Sequence, residues 1–539
     1  MESNKSKDSF LKGAIILGVA GIVVKIMGAF FRIPLGNLIG SKGMGYYQAA
    51  YPVYTLFLTL ATAGFPTALA KLVSEKTAIG DHKGANKIFK VAYTVLLITG
   101  VLSFCLLFFG ADYIVTDLMK NPDAYYAMLA IAPALLFVPA MSSYRGYFQG
   151  KRDMSKIAIS QVTEQFFRVI LGIAMAYYFM QQSGPKMGAA GAIAGATIGS
   201  IGSITYLIIV YLKESKQRKA DIKASKRFKD ESVSKILKKI LLVAIPITIG
   251  ASVMPLVNMI DNIVVIRRLV EGGFTRTEAV SLFGQLTGMA MAIVNLPSVI
   301  TSAIGMSLVP SISESFALGK VEKARKETRS AIKVTLLVVL PCAFGIASLA
   351  GPIMQLLYPK EPASLGTILF TISPAIIFLG LIFSLNGILQ GMGKPMVPVL
   401  ALSVGMIFKI AISYTLTVDP DINVLGSGLG TVTAYAVASL IEIHFVKKYM
   451  GVKFGINEFV IKPLITVVTM FAAVKLSYGL ITNSVGLGNS LATVISIVIG
   501  AVVYVLVLLG IGGITKEEIL IMPKGEKLYK VLRKLHLIR

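Results

Sequence analysis

The 539-residue chain is 55% hydrophobic and only 15% charged, with a mean hydropathy of +0.75. A soluble fold of this composition would leave too much apolar surface in water. Its 53 Lys and Arg outnumber 27 Asp and Glu, a net charge of +26 that points to an anionic partner of some kind.

Apolar runs of about twenty residues, the length needed to cross a bilayer core of roughly 30 Å, follow one another along the whole chain. In order they are 13–35, 47–71, 91–111, 124–143, 157–180, 188–212, 240–266, 281–309, 330–350, 367–389, 397–417, 426–446, 463–483 and 491–511. They lack the short alternating pattern of membrane β-strands, so they predict an all-α integral membrane protein of about fourteen transmembrane helices. The first run carries Lys25 and Arg32 and no cleavage site of the secretory kind, which makes it a retained helix. The two cysteines, Cys105 and Cys342, both lie inside apolar runs, so neither a disulfide framework nor a thiolate metal site follows.

The positive charge is unevenly spread. With the N-terminus inside, only seven Lys and Arg fall in outside loops: Lys42, Lys120, Lys186, Arg267, Arg268, Arg276 and Lys360. Five more (Lys25, Arg32, Arg168, Lys409 and Lys475) lie within helices, and the rest are inside. This asymmetry predicts a multi-pass membrane protein with both termini in the cytoplasm. The richest stretch, 213–239, holds Lys213, Lys216, Arg218, Lys219, Lys223, Lys226, Arg227 and Lys229. It reads as a solvated linker near anionic lipid headgroups, with no nucleic-acid role.

The chain also contains an internal repeat. Ser74-Glu75-x-x-Ala78-x-Gly80 returns 239 positions later as Ser313-Glu314-x-x-Ala317-x-Gly319, and Gly146-x-x-Gln149-Gly150 returns 241 positions later as Gly387-x-x-Gln390-Gly391. Both motifs, read as loops, recur after six helices, an even number, so the halves insert with the same orientation. The expected organisation is a six-helix lobe (1–212), the basic linker (213–239), a second six-helix lobe (240–446), two additional helices (447–511) and a basic cytoplasmic tail (512–539). Gly188, Gly191, Gly195 and Gly199 read as a close-packing face of helix 6, not as a phosphate loop. Pro34, Pro52, Pro66, Pro246, Pro255 and Pro297 predict kinks.

Charges at bilayer depth cost at least ~2.5–3.5 kcal/mol each and call for a reason. Lys25 and Arg32 are two turns apart on one face of helix 1, with no acid between them. They suit an anionic substrate group such as a diphosphate, although Arg32 could instead snorkel to the outer headgroups. Glu164 and Arg168, four apart in helix 5, suit an internal ion pair. Asp261, with Asn258 one turn earlier, could bind a coupling cation or proton or partner a cation. Lys409 and Gln285 are further polar candidates for a cavity. Asp261 and Arg268 repeat the spacing of Lys25 and Arg32 with the deeper charge reversed. His82, His444 and His536 are scattered, and no nucleophile, paired-carboxylate or metal-ligand pattern appears, so neither an enzyme nor a bound cofactor is expected.

The stretches Lys25-Ile-Met-Gly-Ala-Phe-Phe-Arg32-Ile-Pro-Leu-Gly36, Gly45-Tyr-Tyr-Gln-Ala-Ala-Tyr-Pro52 and Arg145-Gly-Tyr-Phe-Gln-Gly150 resemble the polysaccharide-transporter branch of the multidrug/oligosaccharidyl-lipid/polysaccharide (MOP) flippase superfamily. The resemblance is to its Gram-positive group of MurJ-type lipid II flippases and stage V sporulation protein B. It spans essentially the whole chain, including the two extra helices. It implies two parallel six-helix lobes around a central cationic cavity, and alternating access for a polyprenyl-diphosphate-linked saccharide. It also implies that Lys25 and Arg32 match the cavity cations of helix 1. The chain departs from the MurJ type in having no basic residue on helix 2 before Lys71, and Gln285 near the helix 8 arginine position. Lipid II heads the expected substrates, with teichoic, capsular or other lipid-linked units as the alternative. A MATE-type cation-coupled drug exporter and a non-transporting scaffold for cell-wall synthesis are the readings from other classes. The expected partners are the bilayer, the lipid-linked saccharide and the cell-wall machinery, for a monomer driven by a coupling ion or the membrane potential.

Overall fold

The computed structural model describes residues 2–225, 228 and 230–513, and only the backbone of residues 2–15. Lys226, Arg227, Lys229 and residues 514–539 of the expected tail lie outside the described residues. Among the described residues every regular element is a helix, and thirteen helical spans are long and apolar enough to cross a membrane. Two of these are 63 and 60 residues long, about three bilayer cores at 1.5 Å per residue. Their helices are interrupted at Gly40 (φ 68°, ψ 176°) and Gly184 (φ 73°, ψ −164°), conformations open to a residue without a Cβ. Splitting both, and joining Arg276–Val294 to Ser298–Ala317 across the turn at 295–297, yields the fourteen segments read from the sequence.

These are α1 (2–39), α2 (41–62 and Phe65–Ala78), α3 (His82–Tyr113), α4 (Tyr125–Ile131 and Ala134–Gly150), α5 (154–183), α6 (185–213) and α7 (Val233–Glu271). Then follow α8 (276–294 and Ser298–Ala317), α9 (Val321–Ser348), α10 (Ser364–Ile372 and Ala375–Gly391), α11 (Met396–Leu416), α12 (Leu425–Met450), α13 (Lys462–Asn483) and α14 (Asn489–Gly510).

The repeat extends to the breaks within helices. α4 is interrupted at Ala132-Pro133 and α10 at Ser373-Pro374, while α2 and α8 are interrupted just before Phe65 and Ser298. The two repeated motifs are not loops. Ser74–Ala78, Ser313–Ala317, Gly146–Gly150 and Gly387–Gly391 are the last turns of helices. Helical winding stops at left-handed residues: at the first motif's own final glycines, Gly80 (φ 81°) and Gly319 (φ 67°), and just beyond the second motif at Arg152 (φ 62°) and Gly393 (φ 73°). The motif glycines serve packing. A Cβ at Gly146 would stand 2.9 Å from the Pro66 carbonyl oxygen, and one at Gly387 would stand 2.1 Å from that of Gly305. Each copy of the second motif therefore holds its helix tight against α2 or α8.

The chain divides into two compact units, Met1–Met289 and Ala290–Arg539. The packing boundary thus falls inside α8, whereas the repeat ends in the 213–239 linker. The reason is that α7 packs into the first unit: the Gly64 amide donates to Thr248 Oγ1 (3.1 Å), and a Cβ at Gly64 would meet the Ala244 carbonyl oxygen at 2.1 Å. The linker is also tied down where it is described. Ser225 donates to the Gly80 carbonyl, Lys87 pairs with Asp230 (3.0 Å), and Glu231 lies between Lys76 (3.0 Å) and Lys239 (2.6 Å). These two ammonium groups hold the Glu231 carboxyl down at about 2.

In unit 2, α13 and α14 pack on α9 through Leu337, Val467, Met470, Val474, Tyr504 and Leu508. Pro341 lacks the N–H that would bond the Leu337 carbonyl four residues back; the Tyr504 hydroxyl donates to that carbonyl instead (2.9 Å). Lys333, 3% exposed, pairs with Glu458 in the π-helical turn just before α13 (3.1 Å).

Candidate functional site

The cationic group of unit 1 is built on α1, α2, α5, α7 and the first half of α8. Arg32 is half-buried, and its guanidinium donates a long bond to the Thr287 carbonyl (3.5 Å), the same oxygen that Gln48 Nε2 of α2 reaches at 2.9 Å. Thr287 belongs to a π-helical turn, Gln285–Ala290, a local over-winding often found at functional sites. Gln48 is fixed in turn. Pro52 has no N–H for the Gln48 carbonyl, and Asn262 Nδ2 of α7 donates to that carbonyl (3.1 Å) and to Ala49's (3.2 Å).

α2 and α8 meet here through repeat-equivalent residues. Ser41 Oγ bonds Ser281 Oγ (2.7 Å), a Cβ on Gly284 would stand 2.5 Å from the Gly45 nitrogen, and Gln48 meets Thr287. All three pairs are 239 or 240 positions apart. Contact between equivalent residues is what a two-fold relation produces.

Lys25 is exposed, two turns before Arg32 on α1. Asp261 is buried at 5% exposure in α7, beside Asn262, while Asn258 is exposed. Gln285 is buried at the head of the π-helical turn. Arg32, Gln48, Asn262 and Thr287 are thus linked in one hydrogen-bonded network. Arg268 pairs with Glu271 at the end of α7, so the matched spacing of Asp261 and Arg268 does not place a second Arg32. Lys409 belongs to unit 2, where it is buried in α11 beside Gly430 of α12.

Glu164 and Arg168 approach to 4.0 Å, but Glu164's nearer partner is Arg145 at the end of α4 (2.9 Å). Arg145 also donates to Ser160 (2.9 Å) and Ser203 (3.2 Å). Two guanidinium groups therefore share one carboxylate, leaving a net positive charge between α4, α5 and α6. The glycine face of α6 makes this possible: a Cβ at Gly199 would stand 2.4 Å from the Glu164 carbonyl oxygen, and one at Gly195 2.6 Å from Arg168's. The rings of Tyr47, Tyr51 and Tyr54 follow one another along α2 with centroids 6.0 and 6.1 Å apart.

Sequence reasoning missed Arg145, which enters there only in the stretch that carries the family resemblance, and Glu442, which is 0% exposed in α12. Arg145 could have been recognised as the one charge inside an otherwise apolar helix end. Among the described residues no group of three His, Cys, Asp or Glu side chains is placed to hold a metal.

A model of the family described as polysaccharide biosynthesis protein matches residues 10–316, and a MatE model matches residues 246–415. Stage V sporulation protein B of Bacillus subtilis (strain 168) is 30% identical over 96% of this chain and 98% of its own length. Lipid II flippase MurJ of the same organism is 28% identical over 83% of this chain and 84% of its own. Among solved structures, a lipid II flippase MurJ in an inward closed conformation superposes with a TM-score of 0.69 at 17% identity, covering 92% of this chain and 98% of that one. An inward-facing MATE transporter of the MOP superfamily superposes at 0.64 with 14% identity, covering 81% and 98%. These two likenesses concern the fold. The chain belongs to the polysaccharide biosynthesis protein family, as a MOP-superfamily flippase of the MurJ and stage V sporulation protein B type.

Proposed function

We propose that this multi-pass membrane protein carries a polyprenyl-diphosphate-linked cell-wall precursor, with lipid II as the leading candidate, from the inner to the outer leaflet. The observation that carries the reading is Arg32. Its guanidinium is oriented by a neutral carbonyl and, among the described residues, makes no ion pair. Its charge is therefore available to an anion at a membrane depth where an idle cation costs several kcal/mol. Lys25 lies two turns, ~10.5 Å, away on the same face of the helix, so two long cationic side chains are directed to one anionic group. The likeness to a protein named lipid II flippase supports the choice of substrate. The reading includes alternating access, drive by the membrane potential or an ion gradient, and both termini in the cytoplasm.

The test is complementation in a bacterium depleted of its own flippase. Lys25→Ala/Arg32→Ala should insert normally yet fail to restore growth, with the lipid-linked precursor accumulating on the cytoplasmic face. Normal growth of the double variant would overturn the assignment. Mass spectrometry of the lipid co-purifying with the wild type would identify the headgroup.

A further inference from the structure

We propose that Glu442 of unit 2 is a proton-binding site, a carboxyl kept as the neutral acid inside the helix packing. The observation is geometric. Glu442 is fully buried, and neither of its carboxyl oxygens has a hydrogen-bond partner. One turn before it, Ala438 packs with Ile382 and Ala401; one turn after it, Val446 packs in a cluster with Leu385 and Leu389. Residues four apart share a helix face, so Glu442 looks toward α10 and α11. On α10, between Ile382 and Leu389, stands Asn386, whose side-chain oxygen is likewise buried and accepts nothing.

The repeat shows why these two polar groups lack a charge partner. Carrying α4 forward by the 241-residue offset of its own motif places Asn386 at the position of Arg145. In unit 1, Arg145 donates to Ser203 and pairs with Glu164, which it shares with Arg168. The position of Glu164, carried forward in the same way, is Gly405. Unit 2 thus has a neutral amide where unit 1 has Arg145, while the same offset puts Lys409 at the position of Arg168.

The other charged groups on neighbouring elements are placed elsewhere. On α11, Lys409 lies beside Gly430, twelve residues or ~18 Å along α12 from Glu442. On α9, Arg325 donates to the Met450 carbonyl, and Arg329 and Lys333 sit on Glu458; Glu322 pairs with Arg325, Lys323 with Glu327, and Lys326 lies in the same exposed first turns. α10 carries no ionisable residue. On α12 itself, Lys447 and Lys448 lie over Phe454 and Phe445, His444 packs on Phe445, and Tyr435 and Tyr449 are the remaining titratable groups.

An ionised carboxylate left alone in such a place costs several kcal/mol even after relaxation. One proton removes that cost and supplies an O–H that can donate to Asn386. Parting α12 from α10 would admit water and release the proton. Proton occupancy is therefore linked to whether these helices are packed, and this holds whichever lipid the protein moves.

Infrared difference spectroscopy on the purified full-length protein tests the site. The wild type should show a protonated-carboxyl C=O band at neutral pH that is lost in Glu442→Gln, and Asn386→Leu should keep the band but move it to higher frequency. The wild-type melting temperature should fall as pH rises above the ordinary carboxyl range, because the native state holds a proton the unfolded chain has given up; Glu442→Gln should lack that fall. Identical carboxyl bands in wild type and Glu442→Gln, or an Asn386→Leu band that does not move, would overturn the proposal. So would a melting temperature raised by sodium but indifferent to pH, which would make the occupant a metal cation.

Discussion

Single charged residues show both how far sequence reading reaches and where it stops. Lys25 and Arg32 stand out because a cation in an apolar run is expensive and so conspicuous. Arg145 and Glu442 are charged too but sit five and eight residues from their helix ends, where charges look like ordinary headgroup contacts. Only burial separates a snorkelling side chain from an interior one. The Arg145–Glu164 pair belongs at this scale. Arg145→Ala leaves Glu164 with Arg168 at 4.0 Å as its remaining partner, and because the pair is part-buried its loss should cost less than the about 3–5 kcal/mol of a fully buried pair. Thermal unfolding in detergent should register that loss, while Lys475→Ala, on α13, should leave the melt almost unchanged.

Between elements, the glycine spacing of α6 was legible in advance because residues four apart must share a face. What it packs against was not. The close approach of Gly195 and Gly199 to α5 sets the distance at which Glu164 and Arg168 stand. Gly199→Ala should therefore cost about 1–3 kcal/mol through overpacking, whereas Gly21→Ala, with nothing within 4 Å of its new Cβ, should be neutral or slightly stabilising. Melting temperatures of the two variants distinguish packing from propensity. The linker offers a second test. Glu231 has its carboxyl held at about 2 by Lys76 and Lys239, below its ordinary value near 4.5. Its contribution is fully present above that ordinary value and lost as pH falls toward about 2. Hydrogen-exchange protection of residues 230–236 should drop over that interval, and Glu231→Gln should show the lower protection already at neutral pH. The effect should be about 1 kcal/mol or less, as for other exposed pairs.

For the whole molecule, the asymmetric basic charge predicts that fluorescent fusions at either terminus glow in the cytoplasm; a dark C-terminal fusion would refute that orientation. The number of helices, the parallel repeat and the cationic first helix were all written in the chain. Hydrophobic length, turn spacing and the cost of a buried charge act locally, on residues near one another in sequence. The tertiary structure decided the rest. It turned the motif loops into helix ends, moved the packing boundary from the linker to Met289 in α8, and gave Glu164 to Arg145. It also set Arg32 on the carbonyl of Thr287, 255 residues away. Such pairings, 19 and 255 residues apart in sequence, depend on which helix faces meet, and no local pattern encodes that.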